Sequence, residues 1–268
     1  METQKNTELF TIITGASTGL GKAMAIECAT RKMNLILVAL PGRNLELFCK
    51  QLEFEHKITA VCYEIDLTDK QQIIEMSNSI LEKYSVNFLI NNAGMGGSVE
   101  IEASSVDYID NIILLNIRAL SILTRLFIPE LKKHKKSFIL NVSSMAAFSP
   151  MPFKTVYPAS KSFVYSFSRS LRQELKETSI KVSVVHPGPI LTNPDVIGRI
   201  VKQGIFGKIG LLSGLEITQI ALNSIDKGKS VIIPGIMNKI NRFLMLIVPT
   251  EIRLPFMYRL VKRELMKA

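Results

Sequence analysis

The chain has 268 residues, 47% hydrophobic and 21% charged, values that exclude bulk disorder and provide for a sizeable core. A net charge of +10 suits anionic ligands such as nucleotide phosphates, or an anionic membrane surface; with no tryptophan and no aromatic–basic interleaving, no nucleic-acid partner is expected. Cys28, Cys49 and Cys62 form no CxxC and read as reduced thiols, and His56, His134 and His186 show no metal-ligand spacing, so no metal is expected.

Met1 to Glu8 is polar and not a secretory signal, and no apolar run reaches the ~18 residues of a bilayer span; a cytoplasmic protein is expected. Leu9–Thr14 is an apolar run suited to a buried strand, followed by a glycine-bearing turn and a helix from about Gly19 to Lys32. Leu35–Ala39 is a second strand, broken by Pro41-Gly42, and Leu45–Phe54 a second helix. Ile58–Ile65 is a third strand, and Asp66–Asp69 turns into a helix with Thr68 as its expected N-cap. Val86–Ile90 follows as a strand, then a helical pattern from Val106 to His134 that Pro129 is expected to bend or close. Ser137–Val142, a helix over Thr155–Thr178, a strand over Ile180–Val185 and a last strand at Val231–Ile233 complete the order. Such alternation predicts an α/β fold: one doubly wound parallel sheet, helices on both faces, with ligands outside the carboxyl ends of the strands. Residues 1–233 would form this domain, and residues 234–268 a basic, apolar C-terminal extension.

Two groups of residues carry chemistry. Thr14-Gly15-Ala16-Ser17-Thr18-Gly19-Leu20-Gly21 joins the first strand to the first helix. Gly15 allows a tight turn, Gly19 a close ligand and Gly21 close helix–sheet packing, while the helix N-terminus faces a pyrophosphate. The spacing is Gly-x3-Gly-x-Gly, not the dinucleotide Gly-x-Gly-x2-Gly. Tyr157 and Lys161 are four apart, one helical turn, so an ammonium neighbours a phenol and favours its phenolate. Upstream, the strand Ile139–Val142 ends in two hydroxyls, Ser143 and Ser144. Asp66 is placed either to accept from an adenine amino group or to cap a turn. Asn91 and Asn92 can tie loops together, and Ala93 and Gly94 leave room for a ribose. Asn116, in the apolar run Leu114–Ile117, needs buried partners and can mark a local helix distortion.

Together, and in this order, Thr14–Gly21, Asp66, Asn91–Gly94, Asn116, Ser144, Tyr157, Lys161, Pro187-Gly188 and Thr192 resemble the short-chain dehydrogenase/reductase family over roughly residues 9–233. The resemblance implies a catalytic tetrad of Asn116, Ser144, Tyr157 and Lys161. Tyr157 would be the acid in carbonyl reduction and the base in alcohol oxidation; Lys161 would also bind the nicotinamide ribose. Ser144, rather than Ser143, would orient the substrate oxygen, and Asn116 would hold a water linking Lys161 to solvent. Gly15, Ser17, Thr18, Gly19, Leu20, Gly21, Arg43, Asp66, Asn92, Ala93 and Gly94 would hold the dinucleotide, with Tyr157, Lys161, Pro187, Gly188 and Thr192 at its nicotinamide end. The second strand is followed by no acid to exclude a 2′-phosphate, and Arg43 is placed to meet one, so NADP(H) is expected over NAD(H). The expected activity is that of a carbonyl reductase acting on a small-molecule carbonyl or alcohol; a nucleotide-binding redox sensor without turnover is the alternative.

Met145, Phe148, Met151, Phe153, Ile190, Leu191, Ile197 and Phe206 would give the pocket an apolar lining and favour a lipid-like substrate. Pairing through the two long helices would make a homodimer or homotetramer. The extension carries seven basic residues against two acids, a surplus of +5. Pro249 and Pro255 are expected to split it into short pieces, which either cap a pocket or lie peripherally on a membrane.

Overall fold

Alternate side chains of the first strand go to opposite faces, and that alternation sets the architecture. In a computed structural model, which describes residues 6–190 and 210–266, β1 is Asn6–Thr14. Its Ile13 enters one apolar cluster, and its Phe10 and Ile12 another on the far side. The neighbour β2 (Asn34–Ala39) divides likewise, Leu35 and Leu37 to the first and Ile36 and Val38 to the second. A strand buried on both faces carries an unbroken apolar run, and helices must cover both sides.

The covering helices are supplied by the crossovers. On one face lie α1 (Gly19–Thr30), α2 (Leu45–His56) and α7 (Gly214–Asp226). On the other lie α3 (Lys70–Lys83), α5 (Leu120–Leu131) and α6 (Val156–Glu174). Between them run β3 (Ala60–Glu64), β4 (Tyr84–Asn91), β5 (Ser137–Val142), β6 (Ile180–Val185) and β7 (Val231–Ile232). The seven strands pair in parallel in the order β3-β2-β1-β4-β5-β6-β7. Strand order reverses between β1 and β4, so the switch point lies where Thr14 and Asn91 end their strands.

Two expectations are corrected here: the cap of α3, and the absence of an apolar run long enough to span a bilayer. Thr68 is not the N-cap of α3; the Asp69 carboxylate accepts from the N–H groups of Gln71 and Gln72, while Thr68 Oγ1 donates to Asp66. A carboxylate makes the stronger cap at the positive end of a helix. The long helical pattern is α4 (Val106–Ile113), a π turn (Leu114–Ala119) and α5 in one rod. Pro129 marks the closing turns of α5, one of the two outcomes expected for it, and the distortion falls at Asn116, where one was expected. By length and composition this rod, Val106–Leu131, is apolar enough to cross a membrane. Its Leu123, Phe127 and Leu131 are core residues, which accounts for much of that apolar character.

The extension forms α8 (Ile236–Ile247) and α9 (Thr250–Met266). Pro249 separates them, but Pro255 lies inside α9. A proline there forfeits one bond, to the carbonyl of the exposed Glu251, near the start of the helix.

Candidate active site

The switch point is held by side-chain hydrogen bonds. Thr14 Oγ1 accepts from the N–H groups of Asn92 and Ala93, both at 3.0 Å, and Asn92 Nδ2 donates to the Thr14 carbonyl at 2.8 Å. Gly15 has φ +67° and lies so close to Ala93 that a Cβ would sit 2.9 Å from its Cα. A Cβ on Gly21 would meet the Gly15 carbonyl oxygen at 2.0 Å, so the first helix can approach the turn only with glycine there. Thr18 at the start of α1 makes no side-chain cap, and the first turn holds no acid. The helix therefore presents free N–H groups and partial positive charge to the cleft, a fit for a pyrophosphate.

Asn91 lies behind this, donating to Thr124 Oγ1 (3.1 Å) and Asn141 Oδ1 (2.9 Å), while Asn141 donates to Ser168 Oγ (2.9 Å). This buried amide chain ties β4, β5, α5 and α6 together.

The reactive end is built on α6. Lys161 is buried; its Nζ donates to the Val142 carbonyl at 3.0 Å and lies 5.9 Å from the Tyr157 ring centre. Burial lowers the Lys161 ammonium to about 8. Ser160, between them, donates to the Tyr157 carbonyl (2.7 Å) and accepts from Asn116 Nδ2 (2.9 Å). Asn116 also grips the Met95 backbone, accepting from its N–H and donating to its carbonyl, each at 2.9 Å. Both amide hydrogens are thus committed within the protein. The loop gripped by Asn116 runs against the reactive groups. A Cβ on Gly94 would lie 3.1 Å from Lys161 Nζ, and one on Gly96 would lie 2.3 Å from the Tyr157 ring.

The two serines after β5 separate in role. Ser143 is buried and donates to the Lys161 carbonyl at 2.8 Å. Ser144 Oγ accepts from the Ala146 N–H at 3.1 Å, and its carbonyl accepts from His186 Nδ1 at 3.1 Å. His186 is fully buried, and burial pushes its imidazole down to about 4, with the cations Arg242 and Lys161 adding to the effect. The ring is therefore neutral, with its proton on Nδ1 toward Ser144.

One cleft of about 1400 Å³ connects these groups. It is lined by Gly15, Ser17, Thr18, Gly19, Leu20, Gly21, Arg43, Asp66, Asn92, Ala93, Gly94, Ser144, Tyr157, Lys161, Pro187 and Gly188. Asn116 is buried behind the wall, and Thr192 lies outside the described residues, as do Leu191, Ile197 and Phe206. The volume exceeds the ~300–1,000 Å³ of ordinary small-molecule sites and leaves room for a dinucleotide beside a substrate. The side chain of Asp66 also closes its own turn, Oδ1 accepting from the N–H and Oγ1 of Thr68.

Met145, Met151 and Ile190 line the cleft as expected, but Phe148 and Phe153 do not. Phe148 packs against the tilted His186 ring (4.4 Å) and under the Arg242 guanidinium (3.9 Å), and Phe153 packs on Tyr258 (5.2 Å). Both aromatics fasten the C-terminal helices. Those helices supply the remaining apolar wall: Ile240, Leu244, Met245, Phe256, Met257 and Leu260. Ser160, His186 and Asn238 escaped the sequence reading. Ser160 is a polar residue on the Tyr157 face and His186 directly precedes Pro187-Gly188, patterns legible in the sequence that name no partner; that Asn238 is the one buried residue of α8 follows only from the fold.

A parallel doubly wound sheet carries a glycine turn at its switch point and a tyrosine and lysine on the helix beside the same cleft, the layout of a dinucleotide-binding fold. The short chain dehydrogenase family model matches residues 10–196, and the chain belongs to that family, whose members use nicotinamide cofactors. A very-long-chain 3-oxoacyl-CoA reductase of Anas platyrhynchos is 32% identical over 192 residues, covering 70% of this chain and 62% of that one. The chain spans about three fifths of the length of the first curated relatives it matches. The bulky-bulky ketone specific alcohol dehydrogenase of Comamonas testosteroni superposes with TM-score 0.75 at 28% identity, covering 91% of this chain and 96% of that one. A short-chain dehydrogenase from Sphingobium yanoikuyae in complex with NADPH gives TM-score 0.76 at 27% identity, with coverage of 90% and 96%.

Proposed function

We propose that the chain is an NADP(H)-dependent carbonyl reductase, cytoplasmic and oligomeric, for an apolar, lipid-like ketone. One observation carries the reading: Tyr157, Ser144 and Lys161 line the same cleft as the glycine turn, so a substrate carbonyl and a nicotinamide fit side by side. A nicotinamide held there would supply the hydride for a carbonyl carbon. Tyr157 gives its phenolic proton to the carbonyl oxygen, so that the C=O becomes CH–OH; Ser144 holds that oxygen in place, and the Lys161 charge favours the phenolate left behind. Ser143 takes no part, because its hydroxyl is committed to the Lys161 backbone.

Support for NADP(H) comes from the turn after β2. Leu40 and Arg43 line the cleft there, and the next acid along the chain, Glu46, is paired with Lys50 at 2.6 Å outside it. Support for an apolar substrate comes from the methionine, leucine and phenylalanine wall, and from relatives that act on oxoacyl-CoA and bulky ketones. The test is turnover of NADPH with ketosteroids, long-chain 3-oxo esters and small aldehydes. Tyr157→Phe should lower kcat at least ~1,000-fold and leave the NADPH dissociation constant within about threefold. Full activity in that variant refutes the assignment.

A further inference from the structure

The C-terminal helices carry apolar side chains both toward the cleft and toward solvent. Inward, Met245, Met257, Leu260 and Val261 face the cleft. Outward, Ile236, Ile240, Phe243 and Ile247 form a stripe at helical spacing along α8, continued by Ile252 and Phe256 on α9, each 46–74% exposed. Isolated exposed apolar residues are ordinary on a surface, but a continuous stripe of large ones is not.

The charges around the stripe select what covers it. Two cations of this region are used internally. Arg242 lies over Phe148, and Arg253 donates to the Val248 carbonyl (2.9 Å), Ser149 Oγ (3.0 Å) and Thr250 Oγ1 (3.0 Å). Four others, Lys239, Arg259, Lys262 and Arg263, are exposed, against one exposed acid, Glu251, among residues 236–263. A second copy seated on this face would bring the same cations against one another. An anionic bilayer satisfies both features, taking the apolar stripe into its interface and the cations onto its headgroups.

The stripe also reaches the mouth of the cleft. Ile240, Leu244 and Phe256 are at once exposed and part of the cleft wall. We infer that α8 and α9 dock the protein on an anionic phospholipid surface, and that the Ile240–Leu244–Phe256 rim is the door through which a membrane-dissolved ketone reaches Tyr157. The door rests on the proposed carbonyl reduction; the docking does not.

The chain contains no tryptophan, so Phe243→Trp provides a single emitter at the centre of the stripe. With vesicles of phosphatidylcholine and phosphatidylserine at low salt, its emission should shift to the blue and be quenched by brominated acyl chains. The wild-type protein should sediment with these vesicles and be released by high salt. Phe243→Glu/Ile247→Glu, at outward positions off the cleft wall, should stay in the supernatant. It should keep wild-type kcat/KM for a water-soluble ketone and lose at least about tenfold in turnover of a long-chain 3-oxo ester presented in vesicles. If that variant unfolds, Lys239→Glu/Lys262→Glu serves in its place, with the same loss expected. Wild-type protein remaining in the supernatant at low salt, or emission of the Phe243→Trp variant that the brominated chains leave unquenched, overturns the docking. So does conversion of an oligomer to a monomer by the double variant without any vesicle binding by wild type, which would mark the face as a protein contact. Sedimentation intact with no ketone reduced by any form leaves the docking standing and refutes the carbonyl-reductase reading and the door that rests on it.

Discussion

At the level of single residues, the site works by depriving charged groups of alternatives. Lys161 is held among carbonyls and glycine backbone, so its ammonium has the Val142 carbonyl and the cleft to interact with. Arg43 stands on the cleft wall; Arg43→Glu should raise the KM for NADPH at least about tenfold and narrow or reverse the preference over NADH, read by steady-state kinetics with both cofactors. His186 makes a separate prediction. Its imidazole is neutral in the fold down to about pH 4, whereas the unfolded chain takes up that proton near pH 6.5. Between those values the unfolded state binds more protons, so stability falls as pH falls, by about 3 kcal/mol over the window. Urea unfolding at about pH 7 and about pH 4.5 measures the loss. His186→Asn, which can still donate to the Ser144 carbonyl but does not titrate, should flatten it; an equal loss in that variant assigns the acid sensitivity to other groups.

At the level of elements, the sequence was most readable where a local pattern decides the outcome. Continuous apolar runs such as Leu35–Ala39 mark strands buried on both faces, and Gly15 to Gly21 and Tyr157 to Lys161 carry spacing that has one geometric meaning each. Legibility failed where the deciding partner is distant in the chain. Phe148 and Phe153 have the composition of pocket walls, but Arg242 and Tyr258, about a hundred residues on, draw them away. Pro255 is a breaker by local rule, yet sits near enough to the start of α9 to be tolerated. Asn238 is the plainest case. Its Nδ2 donates to the carbonyls of Gly210 (2.9 Å) and Pro234 (2.8 Å), and its amide fills the space where a Cβ of Gly188 or Gly210 would be. It holds α8 against Gly188, on the cleft wall, and against Gly210. Asn238→Ala should cost about 1–3 kcal/mol by leaving those carbonyls unpaired. It should also raise the cofactor KM more than it lowers kcat; melting curves and kinetics together distinguish this from simple loss of packing.

At the level of the whole molecule, the described residues expose large apolar side chains on the α8–α9 face and also on the rod and α6, at Val106, Ile113 and Phe163. Family members often pair through these long helices, so Ile113→Glu/Phe163→Glu should convert an oligomer to monomers in size-exclusion chromatography with light scattering. An unchanged mass places the subunit contact elsewhere. The rod itself carries a constraint of phase. A π turn holds one residue more than an α turn, so the segments on either side differ by ~100° from a continuous helix. Ahead of it, the Tyr108 hydroxyl lies where a Cβ of Gly97 would be, and Ile112 is buried. Beyond it, Leu123, Phe127 and Leu131 face the sheet. Removing any one residue between Leu114 and Ala119 would restore even winding and swing one segment off its partner. The number of residues in this turn is therefore fixed more strictly than their identities, Asn116 excepted.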